Sequence, residues 1–234
     1  MTASTVVVIP TLNEVETIGG LVTTLIEKHF DVIVVDAGSA DGTADSAAAA
    51  GATVIRDIPG GIRVQVLVGV DLAVEDKYEF IVTMDAGGSH NPDDVSWLLA
   101  GLDTRRSLEM AIGSRFLPGS VYRGRPLRKV ASWLVAQACN ALAGGEPRTD
   151  WTSGFRAYRP SAANKLIQGR YWATMHGWQI ESLGYLRSLG TGICDVPIRY
   201  TAGRSSLRWG GVIEAITAWL GLTNRPPIPG GKVA

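Results

Sequence analysis

Short apolar runs alternate with amphipathic segments over residues 5–115. The runs lie at residues 6–9, 32–35, 52–55, 80–84 and 110–115, and several are rich in β-branched residues. Between the first two runs, apolar residues recur at helical spacing, at Ile18, Leu21, Val22, Leu25 and Ile26. This alternation predicts an α/β fold whose parallel strands are joined by right-handed crossovers.

The pattern changes after residue 115. A loop is expected at residues 117–126, and a polar turn at residues 150–156 leads into a short strand. A strand over residues 193–200 contains Pro197, which predicts a place near a sheet edge or bulge. Helices are predicted at residues 127–143, 161–167, 178–189 and 207–222. We expect one domain over residues 1–206, followed by a C-terminal amphipathic helix and flexible tail over residues 207–234.

Composition limits the partners of the chain. Its 22 Lys and Arg balance 22 Asp and Glu, so no general attraction to nucleic acid is expected. Cys139 and Cys194 match no metal or redox spacing and are interpreted as reduced core residues of a cytosolic protein. No signal peptide is visible, and no apolar run reaches the ~18 residues of a membrane span. We therefore expect a cytoplasmic protein that is at most peripheral at the inner face of the membrane.

Polar residues follow the first two strands of the predicted sheet. The first run leads into Asn13 and Glu14, and the second into Asp36 and Ser39. Ligands of open parallel sheets bind at the carboxyl ends of strands. We therefore expect these four side chains to face one small polar molecule.

Four motifs in this order carry a family resemblance. They are Pro-Thr-Leu-Asn-Glu at 10–14, Val-Val-Asp-Ala-Gly-Ser-Ala-Asp-Gly-Thr at 34–43, Asp-Ala at 85–86 and Thr-Ser-Gly-Phe-Arg at 152–156. The chain resembles the inverting family 2 glycosyltransferases, and within them the dolichol-phosphate (polyprenol-phosphate) mannose synthase branch. The resemblance implies a GT-A fold, a Rossmann-like, mostly parallel sheet flanked by helices.

The resemblance also implies a nucleotide-sugar site. Pro10, Leu12 and Glu14 would surround the base and ribose, and Asp36 would hydrogen-bond the base. The alternative is that Glu14 and Asp36 cap the helices that follow them, which is the interpretation preferred for Asp41. The full predicted set is Pro10, Leu12, Asn13, Glu14, Asp36, Gly38, Ser39 and Asp85.

The predicted metal site departs from the family pattern. Family members usually carry Asp-x-Asp after the fourth strand, where it holds Mg²⁺ or Mn²⁺ against the diphosphate. Here the triplet is Asp85-Ala86-Gly87, so the second acid is absent. Asp85 is the predicted metal ligand and a catalytic residue, with phosphate oxygens and water completing the coordination. His90 is either a further ligand for Mn²⁺ or a hydrogen-bonding residue at the entry of the next helix.

Basic residues crowd the second half of the chain. By resemblance they would bind the phosphate of a lipid acceptor, since guanidinium groups suit bidentate phosphate contacts. A phosphate acceptor is already an anion, whereas a hydroxyl acceptor needs a general base. The best base candidate is Asp150, whose alternative role is to cap a turn, and Glu181 is a weaker one. The predicted acceptor-phosphate set is Arg115, Arg128, Lys129, Arg156 and Arg204.

Three functions are compatible with these motifs. The first is inverting transfer of a hexose, mannose or glucose, from a nucleoside-diphosphate sugar to polyprenyl phosphate. The second keeps the donor but uses a protein, glycan or other hydroxyl acceptor, and the third is non-catalytic nucleotide-sugar binding. The apolar faces of the helices at 127–143 and 207–222 belong to the core, to a homodimer contact or to a membrane interface.

Overall fold

A seven-stranded sheet forms the centre of the computed structural model, which describes residues 4–143, 149–175, 177–202 and 228–229. Its strand order is β3-β2-β1-β4-β7-β5-β9, and among these strands only β7 runs antiparallel to its neighbours. The prediction of a mostly parallel α/β sheet is confirmed. The strands are β1 Thr5–Thr11, β2 Asp31–Asp36, β3 Thr53–Ile55, β4 Phe80–Thr83, β5 Met110–Ser114, β6 Val121–Arg123, β7 Arg156–Tyr158, β8 Arg170–Tyr171, β9 Ile193–Pro197, β10 Arg199–Thr201 and β11 Ile228–Pro229.

Helices cover both faces of the sheet. A short 3₁₀ turn, Pro92–Asp94, precedes α4. The predicted helix at 207–222, and the predicted boundary between residues 206 and 207, lie outside the described residues. In the described part of the chain, no helix is both long and apolar enough to cross a membrane. The helices are α1 Val15–Glu27, α2 Thr43–Ala49, α3 Ile62–Glu75, α4 Val95–Asp103, α5 Pro126–Ala143, α6 Pro160–Gln168 and α7 Gly177–Ser188.

The core consists of two apolar layers, one on each face of the sheet. Successive strand side chains point to opposite faces, so Val6 and Val8 pack in the layer containing residues of α3, α6 and α7. Val7 and Ile9 pack in the other layer, which contains residues of α1 and α4. Gly69 brings α3 close to β1, because a β-carbon there would overlap the Val8 side chain.

The strand predicted over residues 193–200 is wrong as a single element. It divides into β9, an edge strand of the main sheet, and β10, which pairs in parallel with β6 inside the loop predicted at 117–126. The division falls at Ile198, directly after Pro197, whose nitrogen has no hydrogen to donate to a ladder. The edge position expected from Pro197 is confirmed.

Candidate active site

The two loops that follow β1 and β2 are hydrogen-bonded to each other. The Asn13 N–H donates to Ser39 Oγ at 2.9 Å, and the Glu14 N–H donates to Thr43 Oγ1 at 2.8 Å. In return, the Ala40 N–H donates to Asn13 Oδ1 at 3.2 Å. Asn13 has a φ of 55°, a left-handed conformation that asparagine tolerates better than most residues. The loops therefore form one surface, as the parallel pairing predicts.

Gln65 in α3 supports both loops from below. Its buried Nε2 group donates to the carbonyl of Thr11 at 2.8 Å and to that of Val35 at 2.7 Å. These carbonyls lie at the ends of β1 and β2, where the two loops begin. The sequence analysis missed Gln65, although a glutamine between Val64 and Val66 in a helix that faces the sheet is a recognisable signal.

The carboxylate of Asp36 folds back on its own loop. Oδ2 accepts hydrogen bonds from the Gly38 N–H at 3.0 Å and the Ser39 N–H at 2.8 Å, and Oδ1 accepts from the Ser39 hydroxyl. Gly38 has a φ of 89°, which favours glycine. Asp36 thus organises this loop, and its predicted contact with a base stays a prediction.

Asp41 has the helix-start role that was preferred for it. Its Oδ1 accepts from the Thr43 N–H at 3.0 Å, in the first turn of α2. Its Oδ2 accepts from the Val15 N–H at 3.2 Å, at the start of α1. That interpretation is confirmed.

Glu14 faces the turn that follows β4. Its side chain makes no capping hydrogen bond at the start of α1, so the capping interpretation of this residue is wrong. A β-carbon on Gly87 would lie 3.4 Å from Glu14 Oε1, and Thr17 links the two segments by donating to the Ala86 carbonyl at 3.0 Å. Burial and, to a smaller extent, the Asp85 carboxylate raise the pKa of Glu14 against an opposing hydrogen bond from Thr17.

Asp85 lies at the meeting point of these segments. Its side chain is 41% exposed. A β-carbon on Gly154 would lie 3.2 Å from Asp85 Oδ1, so the glycine of the Thr-Ser-Gly-Phe-Arg motif lets that loop approach the carboxylate closely. The loops after β1 and β4 and the loop before β7 therefore converge on Asp85.

His90 packs behind Asp85. Its ring stacks on Phe155 with centroids 4.8 Å apart, and its Nδ1 lies 3.9 Å from Asp85 Oδ2 without a hydrogen-bond partner. Burial lowers the pKa of His90, which favours the neutral imidazole. Asn91, not His90, binds the helix entry, since its Oδ1 accepts from the Asp93 N–H at 3.0 Å. The helix-entry interpretation of His90 is therefore wrong.

A narrow cleft runs from Pro10 past Asp85 and Gly154. Buried polar atoms without a hydrogen-bond partner belong to residues on its wall: Tyr158 Oη, Trp178 Nε1 and Gln179 Oε1. Buried polar atoms of this kind are normally paired with a ligand or water. The sequence analysis named none of them as site residues, because nothing in their spacing marks them.

Asp150 is paired with Arg115. The Arg115 Nε donates to Asp150 Oδ2 at 2.7 Å, and Nη2 donates to Oδ1 at 2.8 Å. Asp150 is fully buried, and burial alone would raise its pKa, but the Arg115 guanidinium outweighs burial and lowers it. Oδ1 also accepts from the Thr152 N–H and hydroxyl, and Oδ2 accepts from the Arg115 N–H. These contacts agree with the turn-capping alternative for Asp150, and its catalytic role stays a prediction.

Arg115 also contacts aromatic rings, and these rings in turn contact further basic residues. Its guanidinium carbon lies 5.1 Å from the centroid of the Tyr200 ring, which stacks on Tyr122 at 5.5 Å. Lys129 Nζ lies 5.6 Å from the Tyr122 centroid, and the charge of Arg128 acts on the same tyrosine. The structure thus brings Arg115, Arg128 and Lys129 into one neighbourhood through two tyrosines that the sequence analysis missed.

A larger cleft, of about 460 Å³, opens beside these rings. It is lined by residues that include His90, Arg123 and Tyr200. Arg199 also lines it, with its Nε donating to Asp94 Oδ1 at 2.8 Å. The Arg123 side chain is exposed at the rim. The cleft therefore offers positive charge next to the Tyr122–Tyr200 pair.

Arg156 is buried and hydrogen-bonded to its own surroundings. It is 1% exposed, and its guanidinium donates to the carbonyls of Ser153 at 2.8 Å and Gln179 at 2.6 Å and to Ser182 Oγ at 3.0 Å. These hydrogen bonds hold the turn before β7 against α7, and the role of Arg156 in phosphate binding stays a prediction. Arg204 lies outside the described residues.

The surroundings of Asp85 suit a divalent ion completed by a ligand. Within the described ranges, no group of three or more His, Cys, Asp and Glu side chains is arranged to hold a metal. The unpartnered Nδ1 of His90 nevertheless lies 3.9 Å from Asp85 Oδ2. Mg²⁺ is commonly held by one or two carboxylates plus phosphate oxygens and water.

Sequence comparison places the chain in a family. The family model described as Glycosyl transferase family 2 matches residues 6–167. Polyprenol monophosphomannose synthase of Mycolicibacterium smegmatis is 32% identical over 209 residues, covering 86% of this chain and 78% of that protein. Undecaprenyl-phosphate mannosyltransferase of Micrococcus luteus is 33% identical over 229 residues, covering 91% and 92%.

Solved structures share the architecture. Glucosyl-3-phosphoglycerate synthase of Mycobacterium tuberculosis, in complex with Mg²⁺ and UDP, matches with a TM-score of 0.72 at 21% identity, over 95% of this chain and 81% of that one. The same enzyme in complex with Mn²⁺, UDP and glucosyl-3-phosphoglycerate matches with a TM-score of 0.71. This likeness identifies the fold and not the substrate. The chain belongs to glycosyl transferase family 2 and is a glycosyltransferase of the GT-A fold.

Proposed function

We propose that the chain transfers a hexose, mannose or glucose, from a nucleoside-diphosphate sugar to polyprenyl phosphate with inversion at the anomeric carbon. The main support for this proposal is that the carboxylates of both candidate bases, Asp150 and Glu181, are buried and hydrogen-bonded. Asp150 is locked to Arg115, and Glu181 is buried, with its two oxygens accepting from the N–H groups of Trp172 at 2.8 Å and Ala173 at 2.9 Å. An acceptor that is already an anion needs neither of them.

The names of the two relatives support the acceptor and the sugar. Both names specify a polyprenyl phosphate and mannose, and both proteins align with most of this chain. Glucose stays in the proposal as the other hexose, and the base of the donor is left to the assay described below.

The donor is proposed to bind across the two joined loops. Leu12 is 53% exposed on this surface and is available to pack against a base. The proposed contacts come from the loop after β1, the loop after β2 and Asp85, which lie side by side at the strand ends. They are Pro10, Leu12, Asn13, Glu14, Asp36, Gly38, Ser39 and Asp85.

The acceptor phosphate is proposed to bind near Arg128 and Lys129. Both lie at the start of α5, next to the Tyr122 ring that stacks on Tyr200. Arg115 is proposed to contribute to phosphate binding beside these two residues, and its partner Asp150 fixes its position.

The proposed reaction is a single displacement. A phosphate oxygen of the acceptor attacks the anomeric carbon, a new C–O bond forms, and the bond to the nucleoside diphosphate breaks. No proton has to be removed from the nucleophile. A bound Mg²⁺ or Mn²⁺, held by Asp85, would supply positive charge to the departing diphosphate. Solved structures of similar fold carry these ions together with UDP, which supports the choice of metals.

The exposed face of α5 is proposed to contact the inner face of the membrane. Leu127 is 83% exposed, Val130 51%, Trp133 44% and Leu134 56%. Arg125, immediately before the helix, is also exposed. Apolar side chains beside cations are typical of helices that lie in the interface of anionic bilayers. Such a contact would bring the basic start of α5 close to the phosphate of a membrane lipid.

A transfer assay tests the proposed reaction. Radiolabelled GDP-mannose and UDP-glucose are each incubated with the protein, Mg²⁺ or Mn²⁺, and vesicles with or without polyprenyl phosphate. We expect label to enter the organic phase only when the lipid is present, and Asp85→Asn to abolish this. Label that stays in water-soluble product would favour a hydroxyl acceptor, and donor binding without transfer or hydrolysis would favour the non-catalytic alternative.

Vesicle flotation tests the membrane contact. Wild-type protein is expected to float with vesicles containing anionic lipid, and Leu127→Glu/Leu134→Glu is expected to stay in solution. Leu189→Glu is the matched control, because Leu189 is also exposed, at 46%, but lies just after α7. Equal flotation of all three proteins would contradict the proposed face.

A further inference from the structure

Two acids from different strand ends face one another across the site. Glu14 follows β1 and Asp85 follows β4, and these strands are neighbours in the sheet. The charge of Asp85 acts on Glu14. Thr17 fixes the relation by binding the Ala86 carbonyl, so the first turn of α1 is tied to the segment that carries Asp85.

Gly87 shows where the Glu14 carboxylate is. The three atoms nearest to a β-carbon built on Gly87 all belong to the end of Glu14: Oε1 at 3.4 Å, Oε2 at 3.7 Å and Cδ at 3.8 Å. The backbone of Gly87 is not in the left-handed region, so a larger side chain is compatible with its conformation. The carboxylate of Glu14 therefore lies in contact with the place that the β-carbon of a larger residue at position 87 would occupy.

His90 provides an independent sign of a ligand. Its side chain is 3% exposed, and its Nδ1 points to Asp85 Oδ2 from 3.9 Å, too far for a hydrogen bond. A buried imidazole nitrogen is normally paired. A cation on the Asp85 carboxylate, or water bound to such a cation, would lie within reach of this nitrogen.

We propose that Glu14 and Asp85 together hold a divalent cation against the diphosphate of the bound nucleotide, with Glu14 supplying the carboxylate that position 87 lacks. The inference rests on the proposed function, because the diphosphate provides the remaining charged ligands. Two carboxylates alone leave most of the coordination of Mg²⁺ or Mn²⁺ to water. Cation and nucleotide should therefore bind cooperatively, and each should bind weakly without the other.

The test measures Mn²⁺ binding directly by electron paramagnetic resonance, with GDP, with UDP and with no nucleotide. In the presence of the nucleotide that binds, Glu14→Gln and Asp85→Asn should each weaken Mn²⁺ binding by about tenfold or more. Glu16→Gln is the matched control, since Glu16 carries the same charge on an exposed position of the same helical turn. It should change the affinity by less than about twofold.

A second variant moves the acid across the site. Glu14→Gln/Gly87→Asp returns one carboxylate to the same space from the other loop, and it should recover Mn²⁺ affinity to within about threefold of wild type. Gly87→Asp alone places two carboxylates together and should not raise the affinity. Circular dichroism and thermal melting of each variant establish that it is folded.

Three outcomes separate the inference from the function on which it rests. If neither nucleotide binds to the wild-type protein, the proposed function fails. If nucleotide and Mn²⁺ bind together but Glu14→Gln keeps wild-type Mn²⁺ affinity, only the inference is wrong. If Glu14→Gln weakens nucleotide binding equally with and without Mn²⁺, Glu14 contacts the nucleotide alone and not the cation, which also overturns the inference.

Discussion

The charged residues on the two sides of the site have different surroundings. On the side of β1 and β4, Glu14 is partly buried and the Asp85 side chain is 41% exposed, so water reaches both residues. On the side of β5 and β7, Arg115 and Arg156 also lie at strand ends, but internal partners take up their guanidinium groups. The strand ends therefore carry partly exposed acids on one side of the site and internally paired arginines on the other.

The difference follows from burial. A fully buried charge is costly unless it is paired and hydrogen-bonded, so the covered arginines are stable only with Asp150 or with backbone carbonyls beside them. A partly exposed carboxylate keeps water as a partner and can exchange it for a ligand. The first side of the site is thus suited to binding, and the second mainly to holding the framework.

The largest effect is expected from Asp150→Asn. The change leaves Arg115 buried without a counter-ion, so the free energy of unfolding should fall by about 3–5 kcal/mol. Urea denaturation measures this. The control is Asp103→Asn, which removes an exposed pair with Arg159, with the Asp103 side chain 63% exposed, and should cost less than about 1 kcal/mol. Equal losses for the two variants would contradict the distinction between the sides.

Asp85→Asn should have the opposite effects, a large loss of transfer activity and little change in the free energy of unfolding. Hexose transfer should fall by about 100-fold or more, since Asp85 serves the departing diphosphate. The free energy of unfolding should change by no more than about 0.5 kcal/mol, because the side chain is accessible to water. The transfer assay and urea denaturation test both statements. A large loss of stability would place Asp85 with the framework residues.

Gln65→Leu should affect the framework beneath the donor loops. Two buried carbonyls lose their donor, so the free energy of unfolding should fall by about 2 kcal/mol. The KM for the donor should rise while the KM for the acceptor stays unchanged. Gln168→Leu, at an exposed position at the end of α6, is the control and should affect neither quantity. Unchanged donor KM in Gln65→Leu would mean that the loops hold their geometry without this residue.

Arg128→Gln/Lys129→Gln should weaken acceptor binding selectively. Losing both cations should raise the acceptor KM by about tenfold at low salt and leave the donor KM unchanged. Added salt should reduce the difference from wild type, because salt screens surface charges. Arg105→Gln/Arg106→Gln removes two exposed charges after α4 and should leave both constants unchanged. An equal effect from the control pair would indicate attraction by overall charge.

The smallest effect concerns pH. Burial raises the pKa of Asp195 to about 6, above its unfolded value of about 3.9. Between these values the folded state binds more protons than the unfolded state, so this group makes stability fall as the pH rises. From about pH 5 to 7 the loss is about 1 kcal/mol, and Asp195→Asn should lack it. Parallel stability curves for variant and wild type, measured by urea denaturation, would show that Asp195 titrates normally.

Much of the fold was predictable from local pattern. The apolar runs and helical spacings located β1 to β5 and α1 to α7 closely, because each buries one face against the sheet. The parallel order then put the loops with Asn13 and Ser39 together. β6 was missed and β10 was merged with β9, since three-residue strands with exposed positions leave no periodic signal.

The site was predictable only where chemistry depends on strand ends. Asp85 could be located because it ends an apolar run. The pairing of Arg115 with Asp150 joins residues 35 positions apart, and no spacing reports which arginine finds which acid. For the same reason the sequence did not reveal that Arg156 is buried and hydrogen-bonded to Ser153, Gln179 and Ser182.

The reversed direction of β7 brings a late stretch of the chain to the edge of the sheet where the earlier strands end. Its first residue, Arg156, pairs with Thr83 and Ile112, so the peptide that enters β7 lies at the edge where the parallel strands end. A loop from far along the chain thereby becomes part of the surroundings of Asp85, because Gly154 lies against that carboxylate.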